Sequence, residues 1–221
     1  MYTYLLVDLA ILAFPLALSF DKKVAFHTKW KYIWQGILLN LVIFLPWDSA
    51  FTGLEVWGFN ADYLLGISWF HLPLEEYLFF LVVPYAAIFI YACLEAYFPK
   101  DILYRPRKSI AWGIVLLCLV LYFVHDDHLY TAVATLYLSF MLLVVLISGK
   151  HHFLGRFFMT FLVISIPFLI FNGILTSLPV VWYDDAENLG IRIFSIPADD
   201  LIYNMGMLLI PLGMYARFTR K

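Results

Sequence analysis

The chain has 221 residues, of which 64% are hydrophobic, and its mean hydropathy is +0.87. These values lie far outside those of soluble globular domains and predict an integral membrane protein. The net charge of −2 gives no reason to expect a nucleic-acid partner. The two cysteines, Cys93 and Cys118, lie in apolar segments without metal-ligand spacing, and we interpret them as buried hydrophobic side chains.

Seven segments come close to the length of about 20 mostly apolar residues that a helix needs to cross a bilayer. The N-terminal segment has neither the basic flank nor the small-residue cleavage site of a signal peptide, so we expect it to remain as the first span. The predicted spans are residues 2–20, 30–46, 73–98, 109–124, 129–148, 154–175 and 197–216.

The basic residues provide a check on this count. With seven crossings, every Lys and Arg except Arg192 falls on one side of the membrane, including Arg220 and Lys221 at the end of the chain. Because basic loops stay in the cytoplasm, the N-terminus is predicted to lie outside and the C-terminus inside. The predicted class is therefore an all-α, multi-pass protein of the plasma (inner) membrane.

One pattern of residues occurs twice, about 124 residues apart, and predicts an internal repeat. Each copy has a polar residue, a Val-Trp pair, a Leu-Gly-Ile triplet, and an acidic pair just after a proline at the head of an apolar run. The first copy is Asp48, Val56-Trp57, Leu65-Gly66-Ile67 and Pro73-Leu74-Glu75-Glu76, and the second is Asn172, Val181-Trp182, Leu189-Gly190-Ile191 and Pro197-Ala198-Asp199-Asp200.

Both copies have the same orientation if the chain crosses seven times. Spans 1–3 and 5–7 are then two parallel three-helix repeats, and span 4 is a connector helix. We divide the chain into a first repeat at 1–98, a connector at 99–128 and a second repeat at 129–221. Sites in repeat-built membrane proteins tend to form between the repeats, so the acidic pairs are expected to meet there.

The acidic pairs are the leading candidates for chemistry, because a charged side chain costs about 2.5–3.5 kcal/mol at the centre of a membrane helix. A structural alternative is that acids in a first helical turn only stabilise the helix dipole, by about 0.3–1 kcal/mol. The presence of two acids in both copies favours catalytic roles for Glu75, Glu76, Asp199 and Asp200. A protonated carboxyl group beside an alkene can act as a general acid.

Polar and aromatic side chains near these pairs are candidates for contacting a substrate. Adjacent helical positions are about 100° apart, so one acid of each pair should face the cavity. Asn204 lies four residues after Asp200 and therefore on the same face of the helix. This polar neighbour favours Glu76 and Asp200 as the acids that face the cavity. Aromatic faces stabilise a cation by about 0.5–2 kcal/mol each, although an interfacial aromatic belt is an alternative reading. The candidate substrate-binding residues are Asp48, Asn172, Trp47, Tyr77, Phe79, Phe80, Tyr203 and Asn204.

These residues resemble the membrane-integral lycopene cyclase family, which includes a bacterial heterodimeric type, a fused bacterial and archaeal type, and the cyclase half of a fungal bifunctional protein. The resemblance rests on the seven spans, the two repeats and the segment Pro73-Leu74-Glu75-Glu76-Tyr77-Leu78-Phe79-Phe80. It covers nearly the whole chain, which looks like the fused form.

The resemblance implies a lycopene β-cyclase, a redox-neutral intramolecular lyase or isomerase of carotenoid biosynthesis. A linear end group of lycopene would be protonated at its terminal double bond, close a six-membered ring and lose a proton to give a β-ionone ring. Glu75 and Glu76 would be the acid candidates, and Asp199 and Asp200 the second acidic site or the base. The implied partners are lycopene, membrane lipid and other carotenoid-pathway enzymes. No P-loop, GxGxxG or HExxH motif occurs, so neither a metal nor a cofactor is expected.

Two alternatives stay open at the level of sequence. A carotenoid hydratase would form the same cation and trap it with water, so its product would be heavier by one water molecule. A proton-coupled membrane transporter could use the acidic pairs to carry protons, and uptake assays with purified protein would reveal it.

Overall fold

The computed structural model describes residues 2–219, which form seven α-helices and six short β-strands. Met1, Arg220 and Lys221 lie outside the described residues, including the two basic residues that sequence analysis assigned to the cytoplasmic side. The helices are α1 (Thr3–Leu18), α2 (Trp34–Gly53), α3 (Leu74–Tyr97), α4 (Arg107–Val124), α5 (Leu129–Ile147), α6 (Leu154–Ser177) and α7 (Asp199–Thr219). The strands are β1 (Trp57–Phe59), β2 (Ser68–Trp69), β3 (Leu72–Pro73), β4 (Val181–Tyr183), β5 (Arg192–Ile193) and β6 (Ile196–Pro197).

Five helices, α2 to α6, are long and apolar enough to cross a membrane, counting residues 2–219. Helix α1 has 16 residues, and α7 carries three charged residues, Asp199, Asp200 and Arg217. The predicted helical membrane class is confirmed at this level. The count of seven spans, the two repeats and the orientation stay predictions.

Two helix boundaries differ from the predicted spans because of proline. Helix α2 continues through Pro46 to Gly53, whereas the predicted span ended at residue 46. An interior proline removes a single backbone hydrogen bond, which packing against neighbouring helices offsets. Helix α7 begins at Asp199, two residues later than predicted, because Pro197 pairs with Arg192 in the β5–β6 ladder.

Helix α3 is the centre of the bundle and packs against α1, α2, α6 and α7, whereas α4 lies at the periphery against α5. The interior is apolar and rich in aromatic rings. Helices α2 and α7 approach closely at Gly36, where a Cβ atom would lie 2.8 Å from the Cα of Pro211. Such close contact through small residues is typical of membrane helix interfaces, which lack a hydrophobic driving force between helices.

The two segments that lead into α3 and α7 fold alike, 124 residues apart. The amide of Val56 donates to the carbonyl of Phe51, and the amide of Val180 donates to that of Leu175. Likewise, Leu74 donates to Ile67 as Ala198 donates to Ile191. Each segment then forms a two-residue antiparallel ladder, β2–β3 in one and β5–β6 in the other. The ladders bring each acidic pair to the start of its helix.

The β1 and β4 strands join the two segments. They are antiparallel, and Gly58 faces Trp182, its counterpart 124 residues later. The indole ring of Trp182 fills the space that a side chain on Gly58 would occupy. An offset of 124 residues matches Trp57 with Val181 and Gly58 with Trp182, whereas the sequence pattern aligned Val56-Trp57 with Val181-Trp182.

A buried arginine stabilises the opposite end of the bundle. The guanidinium of Arg156, at the start of α6, donates to the carbonyl oxygens of Leu94, Phe98 and Pro99 at distances of 3.1, 2.7 and 3.0 Å. The carbonyls of Phe98 and Pro99 lie beyond the last residue of α3, and that of Leu94 also accepts from the amide of Phe98 at 3.0 Å. The cation therefore caps α3 at the negative end of its dipole and ties α6 to it.

Candidate functional site

A cavity of about 60 Å³ lies where α3 and α7 begin. Among the helices of residues 2–219, only α4 contributes no side chain to it, and the β1–β4 ladder covers it. Its polar lining includes Asp48 and Glu76 from the first half of the chain, Asn172, Asp200 and Asn204 from the second half, and the phenols of Tyr4, Tyr130, Tyr183 and Tyr203. No Lys or Arg of the described chain lines the cavity. A carboxylate here has no neutralising cation beside it, and burying such a charge is costly.

Glu76 lies next to a second carboxyl group. Its Oε2 accepts a hydrogen bond of 2.5 Å from the phenol of Tyr4 on α1. The carboxyl group of Asp48 on α2 lines the same small cavity, and its Oδ2 has no hydrogen-bond partner among the described residues. Asp48 is held in turn by the indole N–H of Trp57, which donates to its Oδ1 at 2.7 Å. The residues around Glu76 come from α1, α2 and β1, so the geometry of this cluster depends on the packing of the whole bundle.

Asp200 is surrounded by hydrogen-bond donors. Its Oδ1 accepts from the phenol of Tyr130 at 2.7 Å. Its Oδ2 accepts from the amide Nδ2 of Asn172 at 2.7 Å and from the phenol of Tyr183 at 2.9 Å. Burial, followed by the negative charge of Asp200, raises the pKa of Tyr183 well above its usual value. The Tyr183 phenol therefore keeps its proton and serves as a donor.

The two clusters are built on matching positions. Glu76 and Asp200 are 124 residues apart, as are Asp48 and Asn172, and a tyrosine from α1 or α5 bonds each acid. They differ in three respects: the carboxyl group of Asp48 matches the amide of Asn172, Tyr183 bonds Asp200 where Phe59 is the matching residue, and a glutamate matches an aspartate. The arrangement brings together two buried carboxyl groups with different surroundings.

The other acid of each pair points away from the cavity and fastens the preceding loop. Glu75 accepts from the amide of Leu65 at 2.7 Å, and Asp199 accepts from the amide of Leu189 at 3.1 Å. Asp199 also accepts from the hydroxyl of Thr131 at 2.6 Å. Both acids are fully buried but do not line the cavity. Their position suits the loop and helix-terminus role that the sequence left as an alternative.

The structure divides the candidate substrate-binding residues into two groups. Those lining the cavity are Asp48, Asn172, Phe79, Tyr203 and Asn204. Those that do not line it are Trp47, Tyr77 and Phe80. The Trp47 ring packs on Tyr203, with centroids 5.0 Å apart. Phe80 is fully buried in the core, and the Tyr77 phenol donates to the carbonyl of Trp69 at 2.9 Å.

Three phenols of the site are absent from the candidate residues drawn from the sequence. Tyr4, Tyr130 and Tyr183 all donate to the cavity acids, but they come from α1, α5 and β4. A weak signal was available, because Tyr4 and Tyr130 both lie in the first turn of the first helix of a predicted repeat. A tyrosine in this position is also common in an interfacial aromatic belt, so the signal does not identify a site.

An apolar groove of about 280 Å³ opens beside the acidic cavity. It runs between α1, α3 and α6, and its polar lining residues are Asn172 and Asn204, which also line the cavity. Phe79, Phe168 and Leu175 are shared by the two spaces as well. Its lining also includes Phe14 of α1, which is 76% exposed. A hydrocarbon chain can lie in such a groove with its end at the carboxyl groups.

The fold and the cavity define a helical membrane protein in which buried carboxyl groups meet an apolar groove. The chain belongs to the lycopene cyclase family, since the family model described as lycopene cyclase matches residues 1–94 and 127–218. This confirms the resemblance seen in the sequence. The unmatched residues between these ranges contain α4.

Two curated relatives are fungal proteins named bifunctional lycopene cyclase/phytoene synthase. The chain is 32% identical over 71 residues to the one from Arthroderma gypseum and 28% identical over 65 residues to the one from Aspergillus oryzae. These matches cover 32% and 29% of this chain but only 12% and 11% of the relatives. The chain thus matches a small part of much longer proteins. No solved structure matches it.

Proposed function

We propose that this protein is a lycopene β-cyclase of carotenoid biosynthesis, an intramolecular lyase or isomerase that acts without a redox cofactor. The observation that carries the proposal is the contact between the cavity, with Glu76 and Asp200, and the apolar groove. A linear polyene needs a long apolar channel, and its cyclisation needs an acid and a base at the reacting end. Family membership supports the choice of lycopene as substrate.

The proposed reaction uses the cavity acids in sequence. One carboxylic acid protonates the terminal double bond of the end group, and the neighbouring double bond attacks the cation to close a six-membered ring. The other carboxyl group removes a proton from the ring, which leaves a β-ionone double bond. The rings of Phe79, Phe168 and Tyr203 line the space where the cation forms and contribute about 0.5–2 kcal/mol each.

The arrangement of the chain in the membrane belongs to the proposal. We infer seven crossings, with parallel repeats at 1–98 and 129–221 joined by a connector at 99–128 in the plasma membrane. The matching hydrogen bonds before α3 and α7 support the repeats. The N-terminus and the acidic cavity then lie on the outer side. Labelling single cysteines in the loop between α6 and α7 on intact cells checks this orientation.

Expression in a bacterium that accumulates lycopene tests the function. Chromatography and mass analysis of the pigments are expected to show β- or γ-carotene at unchanged mass. A product heavier by one water molecule would select a hydratase instead. Unchanged lycopene with the protein present in the membrane would contradict the proposal and direct attention to uptake assays for transport. Co-purification with other carotenoid-pathway enzymes would identify partners.

The groove gives a prediction that compares two exposed alanines on one face of α1. Ala10 lines the groove, and Ala13 lies outside its lining. We expect Ala10→Phe to reduce turnover about tenfold or more, because the added ring displaces the polyene from its reactive position. Ala13→Phe is the matched control and is expected to leave turnover unchanged. Equal pigment yields from the two variants would place the substrate elsewhere.

A further inference from the structure

The two cavity acids have different hydrogen-bond partners, although they occupy equivalent positions. Asp200 is bonded by three donors, from Tyr130, Asn172 and Tyr183. An ionised carboxylate has only acceptor sites, so three donors suit the ionised form of Asp200. Bonds of this kind to a charged oxygen are about twice as strong as neutral ones, and they stabilise the anion.

Glu76 has one such donor, Tyr4, and it shares its cavity with the carboxyl group of Asp48, whereas no Lys or Arg of the described chain lines that cavity. Two carboxyl groups buried in one small site without a cation disfavour double ionisation, so one of the two keeps a proton. Trp57 donates to Oδ1 of Asp48, and Oδ2 has no hydrogen-bond partner among the described residues. The pair therefore holds one proton inside the cavity.

We propose that the Glu76–Asp48 pair donates the proton that starts the reaction and that the Asp200 carboxylate removes the proton that ends it, with the Asp48/Asn172 difference setting this direction. The assignment rests on the proposed cyclase function. Asp48 acts as a positioning residue that keeps a proton on Glu76, and Asn172 acts as one that keeps Asp200 ionised.

The step balances without an oxidant or a reductant. The O–H bond of Glu76 breaks as a C–H bond forms at the terminal double bond. The π electrons of the next double bond form the ring-closing C–C bond, and the C–H electron pair adjacent to the new cation forms the ring double bond. The released proton forms an O–H bond on Asp200. Its return across the shared cavity to Glu76 restores the starting state.

Exchanging the two residues tests the assignment. In Asp48→Asn, the amide would donate to Glu76, so the site would hold two carboxylates and no acid. In Asn172→Asp, both acids would share protons and the site would lack a base. We expect each single variant to lose at least about 100-fold in turnover. The double variant Asp48→Asn/Asn172→Asp is expected to recover to within about tenfold of the parent, because it restores one acid and one base with their roles exchanged.

A second readout does not depend on lycopene. Infrared spectra of the purified variants report the carbonyl stretch of protonated carboxylic acids, which we expect to weaken in Asp48→Asn and to strengthen in Asn172→Asp. If the parent protein does not cyclise lycopene, the proposed function fails while this spectral test still decides the protonation pattern. Unchanged spectra, a fully active Asp48→Asn, or a folded double variant without recovery would each overturn the assignment.

Discussion

Replacing Glu76 by glutamine is expected to reduce the turnover of lycopene by about 10²- to 10⁴-fold while the protein still folds and inserts. Glutamine keeps the size of the side chain and can still accept from Tyr4, but it has no acidic proton to give. Glu76 lies in the cavity beside the groove, so this loss affects the reacting end of the polyene directly. Pigment analysis in lycopene-accumulating cells, normalised to membrane protein, measures the effect.

Two further variants make this result specific. Glu55→Gln removes an exposed acid from the loop after α2 and serves as the control with unchanged turnover. Glu75→Gln changes the neighbouring acid, which accepts from the amide of Leu65 outside the cavity. If Glu76→Gln retained normal turnover and Glu75→Gln lost it, the proton donor would be Glu75, and the division of roles within the acidic pair would be contradicted.

Replacing Arg156 by alanine is expected to destabilise the protein by about 3 kcal/mol or more. The guanidinium makes three hydrogen bonds to carbonyls at the end of α3, and alanine removes all three. The stability of Arg156→Lys should lie between those of the parent protein and Arg156→Ala, because one ammonium group does not reproduce the planar fork of donors. Thermal unfolding in detergent, followed by the loss of helical circular dichroism, measures the change.

Arg105, which is exposed at the same end of the bundle, provides the matched control. Arg105→Ala is expected to change the unfolding temperature little, because an exposed charge contributes little to stability. A similar loss in both variants would mean that positive charge at this end, and not the cap on α3, maintains the fold. Since Arg156 of α6 contacts the end of α3 that lies opposite to Glu76, a mild variant should lower protein yield without changing the product.

The sequence supported a good deal of this description on its own. The apolar segments predicted a helical membrane protein, because crossing a bilayer demands runs of about 20 apolar residues whatever their packing. The paired acids after Pro73 and Pro197 identified where chemistry was to be expected, since charge is rare in such segments. The same residues carried the resemblance to the lycopene cyclase family, to which the chain belongs.

The sequence also had clear limits at element boundaries. Helix α2 continues through Pro46, whereas Pro197 lies in a strand just before α7 begins. Which of the two happens at a proline depends on the neighbouring strand or helix. The sequence pattern matched the two Val-Trp pairs, whereas an offset of 124 residues matches Gly58 with Trp182, which pair in the β1–β4 ladder. Short ladders of two residues leave no periodicity from which they could be predicted.

What the sequence determined by itself is the set of local properties: which segments suit a membrane, and which residues carry acid groups. The tertiary structure decided which acid of each pair faces the cavity, and it brought Tyr4, Tyr130 and Tyr183 to those acids from three separate elements. It also showed that Asp48 and Asn172 give two equivalent sites different partners. Hydrogen bonds across helices depend on distances between residues far apart in the chain, and those distances exist only once the bundle has packed.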